Sequence, residues 1–153
     1  MNIDYFGAAE ATLYELPDLK RSVPILEARL KRLIEAGAPS EPVGIDLTAR
    51  YVSSSYSNAI LNEQLAIVET RRELAATVAE VHEIERAFSS LPEEQQAVLR
   101  LYYLEKRTAE EIAERIYVES AKTVYNIRNR GVFAFALIYF GAAAKKGRKR
   151  GKK

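Results

Sequence analysis

Apolar residues recur along most of this chain at spacings of three and four, the period of helices that bury one face. Leu19, Val23, Leu26, Leu30 and Leu33 are spaced 4, 3, 4 and 3, which predicts a helix from Pro17-Asp18 carrying a seam for a second helix. Before it, Tyr5, Phe6, Leu13, Tyr14 and Leu16 show no strong period and predict a short helix or lead-in. Pro24 lies inside the seam, so the helix either starts at Ser22-Val23-Pro24 or kinks there, and Gly37 with Pro39 ends it. A second long helix is predicted from about Asn58 to Ser89, a stretch free of Gly and Pro. Ile60, Ile67, Leu74, Val78, Val81 and Phe88 fall near a heptad stripe there, broadened at one end by Leu61, Leu65 and Val68. Such a stripe needs a cover: residues 19–34 folding back as an antiparallel hairpin, a second copy of the chain, or both.

The pattern changes over Leu91 to Gly131, which predicts three short helices with a tight corner before the last. Pro92 with Glu93 and Glu94 suits a first turn, and Ala97, Val98, Leu101 and Tyr102 follow at helical spacing. Thr108-Ala109-Glu110-Glu111 fits a capping box, with Ile112, Ala113 and Ile116 as the buried face. After the corner Tyr117-Val118-Glu119, Ser120 is the expected cap of a helix opening Ala121-Lys122-Thr123-Val124. On that helix Val124 and Ile127 point inward, while Lys122, Asn126 and Asn129 point outward, flanked by Tyr125 and Arg130. Lys and Arg can meet phosphate or guanine, and Asn can pair with adenine by two hydrogen bonds, so the outward set suits a DNA reader. An ordinary amphipathic helix with a solvated face has the same pattern; two capped helices at this spacing favour the reader.

The residues from Leu91-Pro92-Glu93-Glu94 to Tyr102-Tyr103, then Thr108 to Ile116, then Ser120 to Val124, resemble the helix-turn-helix of sigma factor region 4. The whole chain is similar in its order of elements to the RinA/ArpU-type phage regulators of late genes: an N-terminal helix, a loose spacer, a long helix, and a sigma-like reader. The resemblance implies an all-α fold, an N-terminal helical hairpin or coiled coil with a C-terminal sigma region 4-like helix-turn-helix domain. It also implies double-stranded DNA as a partner, while Glu110, Glu111 and Glu114 on one helix make either a solvated face or a partner surface, such as one for host RNA polymerase. Sigma-like readers usually place Gly in the corner and have one residue fewer before the cap. Here Tyr117 and an extra position stand instead, and the longer corner is expected to spare Tyr117 the positive φ that a Gly would take.

Charge sharpens this picture. The first 91 residues hold 9 Lys/Arg against 14 Asp/Glu, and residues 92–119 hold 4 against 7, whereas from Ser120 onward there are 10 cations and no acid. A positive field that starts at the reading helix suits a polyanion. The expected DNA contacts are Ser120, Lys122, Thr123, Tyr125, Asn126, Arg128, Asn129 and Arg130, with Lys122 and Asn126 foremost and Arg128 and Arg130 on phosphates. Lys145, Lys146, Arg148, Lys149 and Arg150 belong to a basic tail expected to grip phosphates without order of its own. Val132 to Phe140 is apolar on every side but too short to span a bilayer. It is expected to continue the reading helix and pack on residues 92–104 and on another subunit.

The expected division is 1–36 an N-terminal helical segment, 37–58 a flexible spacer, 59–90 the long amphipathic helix for hairpin formation or oligomerisation, 91–144 the helix-turn-helix domain, and 145–153 the basic tail. One His, no Cys and three Asp leave no catalytic constellation and no metal or cofactor site to assemble, so a non-enzyme is expected. The absence of Cys fits a reducing cytoplasm, and no secretory signal is visible after Met1. The expected function is a sequence-specific transcriptional regulator, a phage late-gene (packaging or lysis) activator acting as a homo-oligomer. The alternatives are a small terminase subunit, whose reader usually comes first in the chain, and a helical assembly or membrane-surface protein.

Overall fold

The computed structural model describes residues 3–37 and 54–145, and among them every regular element is a helix. They are α1 (Tyr5–Gly37), α2 (Ser54–Ser89), α3 (Glu93–Leu99), a π-helical turn (Arg100–Leu104), α4 (Ala109–Arg115), α5 (Ala121–Phe140) and a 3-10 turn (Gly141–Ala143). No helix of the described residues is long and apolar enough to cross a membrane. Most of the expected spacer, residues 38–53, and the tail from Lys146 on lie outside the described residues.

The first helix differs from expectation. It is continuous from Tyr5 through Pro17 and Pro24 to Gly37, with neither proline beginning it. Its start carries a cap that the periodicity hides: Asp4 Oδ1 accepts from the Gly7 N–H at 3.0 Å, satisfying one of the unpaired donors of the first turn. Each proline forgoes one ladder hydrogen bond. Leu13 and Leu16 are buried just before Pro17, and packing of this kind, more than propensity, holds a helix together. The second helix begins at Ser54, four residues ahead of its expected start.

The chain divides into two compact units, described separately: residues up to Lys20 together with those from Glu80 on, and Arg21–Ala79. In the first unit, Ala9, Leu13 and Leu16 of α1 share a core with Val81, Ile84, Ala87 and Phe88 of α2, with Leu91, Leu99 and Tyr103, and with Val132, Phe135 and Ala136 of α5. Phe6 packs on Phe133 at 4.8 Å between ring centroids and Tyr5 on Phe140 at 5.4 Å. The apolar second half of α5 packs on Leu99 and Tyr103, within residues 92–104 as expected, and is covered in addition by the start of α1 in the same chain. Lys20 Nζ meets Glu85 Oε1 at 2.7 Å, an exposed ion pair that ties α1 to α2 at the surface. Gly131 lets α5 approach α3, since a Cβ there would lie 3.1 Å from Leu99 Cδ1.

The second unit is a pair of antiparallel helix segments. Gly37 lies at Glu63 and Ile67, while Leu30 and Ile34 line a groove with Leu74. Residues 21–34 thus fold back on the long helix. Leu61, Leu65 and Val68 nonetheless stay exposed, as do Ile25 and Ile60.

A candidate DNA-reading face

The corner between α2 and α3 is closed by Gln96, whose Nε2 donates to the carbonyls of Ser89 at 3.1 Å and Leu91 at 2.7 Å. From there α3, α4 and α5 build a second core of Val98, Ala109, Ile112, Ala113, Val124 and Ile127. Both expected hydroxyl caps are present, while the Glu111 carboxylate of the expected capping box lies 3.9 Å from Arg107 Nη1. Thr108 Oγ1 accepts from the Glu111 N–H at 3.2 Å, and Ser120 Oγ accepts from the Thr123 N–H at 3.4 Å.

The corner does not spare its tyrosine. Tyr117 has φ 59° and is 95% exposed, and the Val118 N–H reaches back to the Ala113 carbonyl at 3.0 Å. This is a Schellman turn with tyrosine in the left-handed position that glycine usually fills, and Val118 packs on the core behind it. The extra corner residue therefore does not remove the strain. It extends the path from that turn to the Ser120 cap. Lys106, with φ 56°, ends the π-helical turn, the Arg107 N–H bonding the Leu101 carbonyl at 2.8 Å, one residue farther back than the Schellman bond.

On α5, Val124 and Ile127 are buried as expected. Lys122, Asn126 and Arg130, four residues apart, form an exposed line, with Tyr125 exposed beside it. Ser120 and Thr123 are engaged in the cap, their hydroxyl oxygens 3.3 Å apart. Asn129 and Arg128 are half-buried and engaged: Arg128 Nε and Nη2 donate to Asn129 Oδ1 at 3.1 and 2.8 Å, and Nη1 donates to the Tyr102 hydroxyl at 2.9 Å. Lys145 is exposed at the end of the described chain, whereas Lys146, Arg148, Lys149 and Arg150 lie outside the described residues.

In the sequence Tyr102 reads only as an apolar position at helical spacing, and Tyr103 carries no assigned role. Tyr103 is fully buried and donates to Glu10 Oε2 at 2.7 Å; burial, then the hydrogen bond to Glu10, push its phenol far above the ordinary tyrosine value. Tyr14 meets Tyr103 edge-on at 4.7 Å, and burial followed by the neighbouring Tyr102 raises its phenol too. The only signal was a Tyr-Tyr pair on a short helix, and nothing local says that one ring faces the core and the other the reading helix.

Two helices of seven and 20 residues, each capped by a hydroxyl, joined by a tight corner and presenting Lys122, Asn126 and Arg130 outward, define a helix-turn-helix of the DNA-binding class. Residues 87–131 match the family model for sigma-70, region 4. The chain thus carries a sigma region 4-like helix-turn-helix, and the described residues form an all-helical fold. No curated protein and no solved structure matches it.

Proposed function

We propose that the chain is a sequence-specific DNA-binding transcriptional regulator, an activator of phage late genes, with double-stranded DNA as its ligand. One observation carries the reading: the exposed line of Lys122, Asn126 and Arg130 begins at the first turn of a capped helix, where side chains enter the major groove deepest. Glu110 and Glu114 are exposed on α4 and are the surface we assign to host RNA polymerase. Such a protein works where host DNA lies, in the bacterial cytoplasm, without catalysis and without a cofactor. The late-gene role rests on the order of elements and on the sigma-like reader.

Selection of bound duplexes from a random or phage-genome library tests this. A site upstream of a promoter supports the activator; a site at a packaging start reassigns the chain to a small terminase subunit. On the selected site, Asn126→Ala should cost about 1–3 kcal/mol while leaving unrelated DNA nearly untouched. Arg130→Ala should weaken both together, as a phosphate contact does. Selection that enriches no sequence would end the regulator reading.

A further inference from the structure

Of the cations on α5, Lys122 and Arg130 are exposed, but Arg128 is half-buried. Its guanidinium carbon lies 4.9 Å from the ring centroid of Tyr102 and 4.9 Å from that of Tyr125, two rings whose centroids are 6.5 Å apart at 74°. The planar group is thus held between them, with one hydrogen bond to the Tyr102 hydroxyl and two to Asn129 Oδ1. A guanidinium has five N–H donors in a rigid fork, and these contacts use three. The strut has a firm base: Tyr102 packs edge-on against Tyr103 at 4.8 Å, and Tyr103 is fixed by Glu10 of α1.

We propose that Tyr102, which lies outside the reading helix, is a positioning residue for DNA specificity. Through Arg128 it sets the Tyr125 ring and the Asn129 carboxamide, and Arg128 serves as the strut between them in place of a phosphate contact. This rests on the reading of α5 as the DNA reader. One consequence is chemical. Pairing with adenine requires an amide oxygen to accept and an amide nitrogen to donate. Asn129 has its oxygen taken by Arg128 and offers N–H donors alone, so it suits a base acceptor such as guanine N7 or O6, or a phosphate. Asn126 is left as the amide able to read adenine.

The test uses the full chain, the duplex enriched by selection and an unrelated duplex of equal length, each titrated over a range of salt. Tyr102→Phe keeps the ring and removes the hydroxyl. It should lower the preference for the enriched duplex by about two- to tenfold, the scale of one hydrogen bond, with the salt slope unchanged. Arg128→Lys keeps the charge but loses the fork, and should fall in preference as far as Arg128→Ala. If lysine instead restores binding while alanine lowers the salt slope by about 0.9, Arg128 is a phosphate contact and the proposal is wrong. Parent-like binding by Tyr102→Phe would also overturn it. A parent protein without preference would sink the DNA reading itself. The strut is then judged in the unbound protein by NMR: the Arg128 Nη1 protons, bonded to the Tyr102 hydroxyl, should exchange slowly in the parent and rapidly in Tyr102→Phe, and fast exchange in the parent refutes it.

Discussion

The two units of this chain use the same raw material, long amphipathic helix, to different ends. In the unit containing the reader, Leu13, Ile84, Val98, Leu99, Tyr103, Ile112, Val124, Val132 and Phe135 are fully buried, because the five α-helices and the π-helical turn pack around them in two cores. In the unit of residues 21–79, Leu26 and Thr77 are the buried side chains among the described residues, while Ile25, Ile34, Ile60, Leu61, Leu65 and Val68 remain exposed. A pair of helices covers one stripe on each partner and no more, whereas α5, apolar all round in its second half, is enclosed by helices recruited from both ends of the sequence. Enclosure thus belongs to the DNA-reading unit, and the hairpin keeps apolar surface in reserve.

Substitutions can break that comparison. Phe135→Ala should have the largest effect, about 3–5 kcal/mol of stability lost in denaturant titration, because the ring leaves a cavity in a closed core. Leu30→Ala in the half-buried hairpin seam should cost clearly less; equal losses would show the two units to be equally packed.

Alkaline pH should also act on the reader. The Tyr103 phenol has a folded value raised above the ordinary 10.0 by burial and by Glu10, so its contribution is fully present below pH 10. Above pH 10 the unfolded chain sheds that proton and the folded chain keeps it. Stability should then fall by about 1.4 kcal/mol per pH unit from this group. Tyr103→Phe should flatten the fall in melts at pH 9 to 11, and an unchanged pH dependence would place the sensitive group elsewhere.

Smaller effects sharpen the contrast at the surface. Tyr117→Gly should stabilise by about 0.5–1 kcal/mol, the left-handed penalty less the entropy a glycine loses, since the exposed ring gives up little packing. The smallest change in fold stability, under about 0.5 kcal/mol, is expected for Leu61→Lys with Leu65→Lys, both on the surface. We propose that this apolar stripe joins copies of the chain. Sedimentation should then show the double variant dissociated and the parent self-associated at micromolar concentration; a monomeric parent would count against the stripe as an interface.

How much of this was legible in the sequence follows from how local each cause is. The caps at Thr108 and Ser120, the inward Val124 and Ile127 and the end of α1 at Gly37 could be read, because a cap or a helical period is decided within a few residues. Asp4 is a capping residue by type, but the residues after it lack the clean period that would mark a helix start. Tyr117 at positive φ was not legible: the Schellman turn is stabilised by Val118 packing on the domain core, and that tertiary gain outweighs the local penalty. The engagement of Arg128 depends on Tyr102, 26 residues away. The partnership of residues 5–16 with α5 spans most of the chain. Spacing cannot reveal either.

The π-helical turn at Arg100–Leu104 carries a consequence for how such a chain changes length. The Glu105 N–H reaches the Arg100 carbonyl at 2.9 Å, five residues back instead of four, so the turn holds one residue more than an α-turn. It is a slot in which a letter can be gained or lost. Removing one residue there can close the loop to ordinary pitch, with the irregular stretch from Glu105 to Arg107 taking up the shift. The same deletion inside α5 would rotate all that follows by about 100° and swing Val132 and Phe135 out of the core. Related chains of unequal length are therefore expected to differ by single residues at this turn, and to keep α5 in phase.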